Sequence, residues 1–340
     1  MDSITQIALG ATVGYAIMGS KVGRKAALYG AVLGTLPDLD VLIPYGGDIE
    51  NFTYHRGFSH SFLVHALISP ILVWLFCRLH PQTKIHFIRW AGMVFAVLAT
   101  HALLDGLTVY GTQVLWGVTE YPFAYSIFFI IDPLYTLPLL IPTLLYFKPR
   151  MAKERMRMIT VWGLGLSCGY MLWAIAAKQY IDYINHHALA AKGIDDSVYV
   201  STPAPLTTLL WRSVVVEDNA YYEIYTSIFD NVDEVTIMRY PTQPELLDSI
   251  NDEWPVQRLQ WFTKGLYSVK QIEDEVILTD LRMGIEGAYV FTFAVGHITD
   301  SGIALGDLRQ IENRPSFTGL PRILHRIVDP TVQIISTVNP

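Results

Sequence analysis

Residues 158–177 read MITVWGLGLSCGYMLWAIAA, an apolar run of twenty residues without a charged side chain. A helix needs about 20 such residues to cross the hydrocarbon core of a bilayer, so this run predicts a membrane span. Five further apolar runs of similar length lie upstream, at 4–20, 26–43, 61–77, 90–108 and 126–147. A large soluble helical core is the alternative, but the uncharged length of 158–177 argues against it. We therefore predict a mainly α membrane protein with a bundle of about six transmembrane helices.

Basic residues are concentrated in alternate connections between these runs. The connections after the first, third and fifth runs carry eleven Lys and Arg residues, whereas residues 44–60 and 109–125 contain only Arg56. Basic connections stay in the cytoplasm. We therefore predict a multi-pass protein of the inner (cytoplasmic) membrane, in contact with the bilayer, whose termini and residues 178–340 lie outside the cytoplasm.

The second half of the chain has the pattern of a soluble domain. Residues 213–229 and 275–297 alternate between apolar and polar side chains with breaks typical of hairpins, whereas residues 244–263 and 321–329 have helical patterns. Such strand runs indicate an antiparallel sheet with accompanying helices. The fold prediction for this region is an extracytoplasmic α+β domain with an antiparallel sheet.

Composition sets the domain boundaries and excludes one class of partner. We predict a transmembrane helical domain with a metal site at 1–177, a polar linker at 178–205 and a soluble domain at 206–340.

The chain is 51% hydrophobic and 16% charged, with a net charge of −7. No basic face is available to neutralise phosphates, so we expect no nucleic-acid partner. The cysteines, Cys77 and Cys168, fit no metal or redox spacing and are expected to be small core residues. Nothing in the sequence indicates the oligomeric state.

Carboxylates and imidazoles recur at the outer ends of the apolar runs. Because they come from separate stretches but share one depth and one side, we expect them to converge on one pocket. Ionisable side chains inside a span are costly and usually face the bundle interior or a cavity. The six candidate metal ligands are Asp38, Asp40, His55, His60, His101 and Asp105.

The spacing of these residues suits metal binding. His101 and Asp105 are four apart, so a helix places both on one face. Asp38 and Asp40 are only two apart, but on backbone loosened after Pro37 both could turn toward one centre, with one carboxylate bridging two ions.

His55 and His60 lie on either side of a turn at Gly57, which glycine makes with little strain. Mixed His and Asp ligation suits zinc, manganese or iron better than calcium. We therefore predict one or two divalent ions, with zinc as the first choice.

Each of these residues also has a structural interpretation, since any single buried His or Asp can be a hydrogen-bonded group of the fold. Side chains expected beside the ligands are Asp2, His65, Thr108 and Asp132. His65 could instead be a packing residue, and Asp132, in an Asp-Pro pair, could support a turn. Arg56 could pair with a carboxylate, but the preferred interpretation is that it receives an anionic group of the substrate.

Five motifs in this order also carry a family resemblance: MDSITQ (1–6), LPDLD (36–40), HRGFSHS (55–61), HALLDGLTVYGT (101–112) and FFIIDPLY (128–135). Together they resemble the YdjM family of membrane-bound metal-dependent hydrolases, and LTDLRMG (278–284) is similar to a later segment of longer members.

The YdjM resemblance implies an integral-membrane hydrolase with the six ligands named above. The family usually has His where this chain has Gln6. One metal ligand of the family is therefore missing or replaced here, and Gln6 is expected beside the other ligands. A fainter similarity reaches the zinc-dependent phospholipase C and single-strand nuclease group. It rests on the fifteen positions from Asp40 to His55 and on the His101-to-Asp105 pattern.

The leading functional hypothesis is hydrolysis of a phosphoester in a lipid or lipid-linked substrate at the outer face of the membrane, by metal-activated water. Asp38 or Asp40 would bridge ions or accept the proton of the water, and Arg56 would neutralise the phosphoryl charge. A metal or ion transporter is one alternative. A structural or interaction protein in which a metal ion fastens the bundle is another.

Overall fold

The computed structural model of the protein describes residues 1–148, 151–232, 235–300, 302–312 and 319–334. The chain divides into two compact units, the first made of Met1–Ile43 with His55–Ala174 and the second of Pro44–Tyr54 with Ile175–Pro340. Arg150, one of the basic residues behind the orientation prediction, lies outside the described residues.

The helices of the described residues are, in chain order, α1 (Ser3–Val22), α2 (Lys25–Thr35), α3 (Asp48–Tyr54), α4 (Phe62–Leu79), α5 (Phe87–Gly106), α6 (Pro133–Tyr146), α7 (Lys153–Ala191), α8 (Trp254–Thr263) and α9 (Leu320–Arg326). Short 3₁₀ helices at Pro37–Leu42, Phe58–His60 and Pro81–His86 connect the helices of the first unit.

Three helical segments of the described chain are long and apolar enough to cross a membrane: Phe62–Leu79, Pro81–Gly106 and Lys153–Ala191. They correspond to the third, fourth and sixth predicted spans. α2 is only 11 residues long, because the helix gives way to a 3₁₀ helix at Pro37, and α6 has 14 residues. The prediction of six spans is therefore not confirmed.

Glycines bring α1 and α2 into unusually close contact. Gly10 and Gly14 on α1 face Gly30 and Gly34 on α2, and a Cβ on Gly10 would lie 2.3 Å from the carbonyl oxygen of Gly30. Such small-xxx-small spacing allows helices in membranes to pack backbone against backbone. The two helices run antiparallel, so the C-terminal end of α2 lies beside Gln6, near the start of α1.

The first unit packs around α5. Trp90, Met93, Val97 and Leu98 on this helix are buried in a cluster that also contains Met18 of α1 and residues of α2 and α4. Between helices in a bilayer, such side chains stabilise the contact by van der Waals packing and not by leaving water. This packing fixes the C-terminal turns of α5, where two of the predicted ligands lie.

The fifth predicted span begins later than the hydropathy pattern indicates. Residues 126–132 are not helical, and α6 starts at Pro133. The Asp132 carboxylate accepts hydrogen bonds from the backbone nitrogens of Leu134 and Tyr135 and so caps the helix. An Asp cap followed by Pro at the first helical position is a strong start signal, which overrides the continuous hydrophobicity of the run.

The boundary between the two predicted domains falls inside one helix. α7 continues through the start of the predicted 178–205 linker to Ala191, and the first strand begins at Tyr199. The division between the two compact units lies between residues 174 and 175 of the same helix. Most of the segment predicted as a linker thus has regular structure.

The second unit contains two antiparallel sheets rather than the single sheet predicted. One has the order β1 (Tyr199–Pro203), β2 (Leu210–Glu217), β3 (Ala220–Ser227), β4 (Ile237–Pro241), and the other β5 (Tyr267–Ile272), β6 (Glu275–Asp280), β7 (Thr292–Thr299), β8 (Gly302–Gln310). Proline lacks the amide hydrogen that a further strand partner would need. Pro241 therefore helps to end the first sheet before α8.

A segment from the N-terminal half of the chain belongs to the second unit. Phe52 of α3 is 4% exposed, and its ring centroid lies 4.8 Å from that of Phe262 and 5.2 Å from that of Phe293. The Thr53 hydroxyl accepts a hydrogen bond from Arg258 Nε at 3.0 Å. Residues 44–54 look like an ordinary connection between two spans, so their place in the second unit was not predicted from the sequence.

Candidate metal centre

Four of the six predicted ligands come together in the first unit. Asp38 lies in the 3₁₀ helix Pro37–Leu42, His60 ends the 3₁₀ helix Phe58–His60, and His101 and Asp105 lie on the last turns of α5. One donor atom from each lies within 4.8 Å of the others. The side chains of His60, His101 and Asp105 are at most 1% exposed, whereas that of Asp38 is 24% exposed. The group could hold a metal ion, with Asp38 on its accessible side.

The distances between donor atoms match those of a small coordination shell. His60 Nε2 lies 3.1 Å from both His101 Nε2 and Asp105 Oδ2. Asp38 Oδ1 lies 3.5 Å from His60 Nε2 and 3.4 Å from His101 Nε2, and Asp105 Oδ2 lies 3.7 Å from His101 Nε2. Four ligands placed tetrahedrally around zinc at about 2.0–2.1 Å would be roughly 3.3 Å apart. The observed distances lie on both sides of this value.

The tautomer of His101 follows from its second nitrogen. Nδ1 lies 2.7 Å from the carbonyl oxygen of Gly34. Since a carbonyl oxygen only accepts, Nδ1 carries the hydrogen and Nε2 presents its lone pair to the cluster. Hydrogen bonds of this kind orient imidazoles that bind metals.

His60 is oriented in the same way through a side chain. Ser59 Oγ donates to Asp40 Oδ2 at 2.6 Å, so it can accept from His60 Nδ1 at 2.9 Å. In its neutral form, the His60 imidazole therefore also presents a lone pair on Nε2, facing that of His101. Two lone pairs at 3.1 Å repel each other unless a proton or a metal ion lies between them. The nearby carboxylates of Asp38 and Asp105 supply the negative charge that a metal cation requires.

Asp40 organises the adjacent segment instead of joining the four donors. Its Oδ1 lies 2.9 Å from His55 Nδ1, and its Oδ2 accepts from the backbone nitrogen of Arg56 at 2.9 Å as well as from Ser59. Burial alone would raise the pKa of Asp40, but hydrogen bonds from His55 and Ser59 outweigh it and hold the pKa below its ordinary value. The structure thus brings Asp38 but not Asp40 into the four-residue group.

His55 likewise lies beside the cluster and not in it. Its imidazole pairs with Asp40, and its side chain is 23% exposed. The ring also contacts Tyr110, with the centroids 5.6 Å apart. The structure thus assigns His55 and Asp40 to a pair that borders the four-residue group.

Arg56 reaches into the site from the same segment. Its Nε lies 3.2 Å from Asp105 Oδ2, and its Nη1 donates to Thr108 Oγ1 at 3.2 Å. The guanidinium lies over the ring of Tyr110 at 5.1 Å, and the residue has a φ of 61°, which is uncommon for a residue with a side chain. Arg56 thus places a buried positive charge next to one of the four carboxylate and imidazole groups.

Gln6 contacts the cluster at the position where the family resemblance led us to expect His. Its Nε2 donates to Asp105 Oδ1 at 2.9 Å and to the carbonyl oxygen of His101 at 3.3 Å. The side chain is 1% exposed. Gln6 therefore orients Asp105 through the carboxylate oxygen that does not face the imidazoles.

Two further expected neighbours, Thr108 and His65, also support the site. Thr108 Oγ1 donates to the backbone carbonyl of Asp105 at 2.7 Å while accepting from Arg56. His65 Nε2 lies 2.8 Å from the carbonyl oxygen of Ser59, so it supports the segment that carries His60.

Asp2 and Asp132, in contrast, are helix caps. Asp2 accepts from the backbone nitrogens of Ile4 and Thr5 at the start of α1, and Asp132 caps α6 and accepts from Tyr170 at 2.9 Å. Neither is a member of the four-residue group. The alternative interpretation of Asp132, support of the backbone, fits its geometry.

Two groups that set the imidazole tautomers, the Ser59 hydroxyl and the Gly34 carbonyl, were not predicted from the sequence. Ser59 lies next to His60 in HRGFSHS, and this adjacency was a signal that could have been used. The carbonyl of Gly34 had no such signal, because any residue supplies a carbonyl and only the close packing of α1 and α2 determines where it points.

Comparison with known proteins agrees with these motifs. Residues 1–181 match the family described as YdjM inner membrane protein. The chain belongs to the YdjM family. It is also 24% identical over 319 residues to the uncharacterized protein YfhP of Bacillus subtilis (strain 168), with 88% of this chain and 91% of the relative covered. No solved structure matches the chain. The suspected YdjM relationship is thus confirmed, and the chain is a membrane protein with transmembrane helices.

Proposed function

We propose that this YdjM family member is an integral-membrane, metal-dependent hydrolase that cleaves a phosphoester of a lipid or lipid-linked substrate. The observation that carries the proposal is the pair of Nε2 atoms of His60 and His101, 3.1 Å apart and both oriented as acceptors. Two carboxylates complete the group. Two imidazole nitrogens and two carboxylates form a donor set that suits a divalent cation.

The donor set fits zinc best, with manganese or iron as alternatives. Asp38, His60, His101 and Asp105 would hold one ion, since their donor atoms form a single compact group. A divalent ion in this position supplies Lewis acidity and lowers the pKa of a bound water toward about 7.

The side chains around the group have complementary roles in this proposal. Asp38 is the most accessible of the four; its Oδ1 would hold the ion, and its Oδ2 would accept the proton that an attacking water gives up as the new P–O bond forms. The ester P–O bond would break in the same displacement, and the alcohol would leave after taking that proton from Asp38. Arg56 supplies a buried guanidinium for the phosphoryl oxygens, whose negative charge grows in the transition state. Asp40, earlier a candidate for direct participation, instead holds His55, Arg56 and Ser59 in position.

The depth of the group favours a lipid substrate. Asp105 is the penultimate residue of α5, and Pro81–Gly106 is one of the segments able to cross a membrane. A side chain at the end of a span lies near the level of lipid headgroups. If the basic connections are cytoplasmic, this end of α5 is at the outer face of the membrane.

An assay of phosphodiester and phospholipid turnover on purified protein tests the proposal. We expect His101→Ala to abolish both bound metal and turnover. Arg56→Gln should retain the metal but lose about 10²–10³-fold in turnover, because the guanidinium acts on the transition state. His187→Ala, a substitution of an exposed histidine of α7, is the matched control and should behave like wild type.

Other outcomes identify the alternative functions. Wild type that binds metal but turns over no phosphoester or phospholipid would contradict the hydrolase and favour an ion that only fastens the bundle. Metal-dependent flux in proteoliposomes without hydrolysis would favour a transporter.

A further inference from the structure

A cavity of the first unit lies at the opposite end of α1 from the candidate metal centre. Its volume is about 250 Å³, and its lining comes from the C-terminal end of α1, the turn at Gly23 and Arg24, and the start of α7. Gln6, which contacts Asp105, and Gly19, which lines the cavity, are thirteen residues apart on α1, or about 20 Å. The cavity is therefore a separate site.

The lining combines apolar surface with two cations. The ring of Tyr15 stacks on that of Tyr146 with the centroids 4.4 Å apart, and Met156 is 4% exposed. Arg24 and Lys153 line the same cavity. Among the described residues, no carboxylate lies within 4.0 Å of the charged nitrogens of either cation. Their charge is therefore available to an anion in the cavity.

The surrounding segments are also strongly basic. The described residues 21–25, 148 and 151–157 together contain seven Lys and Arg residues and one acid, Glu154. Arg24 Nη2 donates to the carbonyl oxygen of Lys148 at 2.6 Å, so the two segments meet beside the cavity. These are two of the connections that the basic-residue rule assigns to the cytoplasm.

The cavity lies at the border of an apolar surface. α7 begins at Lys153, and on its following turns Met158 is 54% exposed and Trp162 is 64% exposed. Exposed Met and Trp on a helix able to cross a membrane indicate contact with lipid, with Trp typical of the membrane–water interface. A ligand between Arg24 and Lys153 would thus lie at the level of phospholipid headgroups.

We propose that this cavity binds the phosphate of an anionic glycerophospholipid. Arg24 and Lys153 pair with the phosphate oxygens, and Tyr15 and Met156 contact the apolar part of the lipid next to it. Basic pockets between membrane helices on the cytoplasmic side are suited to such headgroups. The inference is independent of the proposed hydrolase activity, because it involves none of the residues of the metal centre.

Thermal unfolding of the full chain in detergent tests the site. Dioleoylphosphatidylglycerol is compared with dioleoylphosphatidylcholine at equal concentration, and bound lipid is counted by native mass spectrometry. We expect the anionic lipid at about tenfold excess over its Kd to raise Tm by roughly 3–6 °C. The double variant Arg24→Gln/Lys153→Gln should lose this rise and the bound lipid.

The double variant Lys21→Gln/Lys25→Gln removes the same charge from the same region but not from the lining, and it should keep the full response. If both double variants lose the rise in Tm equally, the effect is a general attraction between the lipid and basic residues, and the site is refuted.

If the Arg24→Gln/Lys153→Gln variant does not fold, Lys153→Glu alone, a change at an exposed position, provides the test. A response of that variant equal to wild type would also refute the site. An equal rise with inorganic phosphate would show a free-anion site and overturn the lipid assignment.

Discussion

At the scale of single residues, the Nε2 atoms of His60 and His101 lie 3.1 Å apart, and Asp38 and Asp105 complete the four-residue group. All four residues of the cluster were among the six predicted ligands, because His and Asp are rare in apolar runs and costly there. The sequence did not show which of the six residues join the group and which support it. Asp38 and Asp40 lie in a 3₁₀ helix with about three residues per turn, so side chains two apart leave in different directions. Asp38 faces the Nε2 atoms of His60 and His101, whereas Asp40 faces His55.

Ser59 offers a direct test of the hydrogen-bond chain from Asp40 to His60. Ser59→Ala removes the group that accepts from His60 Nδ1 and should lower metal affinity about 10–100-fold, as loss of such supporting groups usually does. The measurement is competition with a chelator of known affinity. Ser167→Ala removes a buried hydroxyl that donates a hydrogen bond to the backbone carbonyl oxygen of Tyr135 in α6. This control should leave the metal affinity unchanged. Unchanged affinity in Ser59→Ala would contradict the assigned tautomer.

At the scale of elements, the apolar runs predicted where helices occur but not where they end. α4 and α5 follow their runs, whereas α7 continues fourteen residues past the end of its run. α6 begins seven residues late because a local Asp-Pro cap determines its start. The spacing of the glycines on α1 and α2 was present in the sequence, at Gly10, Gly14, Gly30 and Gly34, but their mutual contact depends on antiparallel packing, which hydropathy does not reveal.

Gly10→Ala should disturb both the helix pair and the metal centre. The new Cβ would overlap the Gly30 carbonyl, force α1 and α2 apart and shift the Gly34 carbonyl away from His101. We expect a stability loss of about 1–3 kcal/mol together with weaker metal binding, measured by denaturation and metal analysis. Gly92→Ala on α5, where a Cβ meets nothing within 4 Å, is the control and should be neutral or slightly stabilising. Equal behaviour of the two variants would contradict the close packing.

The placement of α3 in the second unit can be tested in the same way. Phe52→Ala removes a buried ring from the cluster with Phe262, Phe291 and Phe293 and should destabilise this unit by about 3–5 kcal/mol. Limited proteolysis of the full chain, read at sites after residue 199, measures the loss. Phe229→Ala in the same unit removes a ring that is 63% exposed and should have little effect. Resistance of Phe52→Ala equal to wild type would place residues 44–54 outside this unit.

At the scale of the whole molecule, the predicted orientation rests on the distribution of basic residues. It predicts that position 50 lies outside the cytoplasm and position 84 inside. In a chain without Cys77 and Cys168, Glu50→Cys should react with an impermeant maleimide in intact cells. Lys84→Cys should react only after lysis. The reverse pattern would invert the orientation and place the metal centre on the cytoplasmic side.

Asp38, His60, His101 and Asp105 are proposed to bind one divalent metal ion. Metal analysis of the purified protein combined with X-ray absorption spectroscopy tests this most directly, since it gives both stoichiometry and ligand type. We predict one ion per chain, with imidazole scattering from two histidines and oxygen ligands near 2.0–2.2 Å for zinc. The His60→Ala/His101→Ala variant should contain no metal. A wild-type protein that binds no divalent ion, or an ion that stays bound in this variant, would contradict the claim.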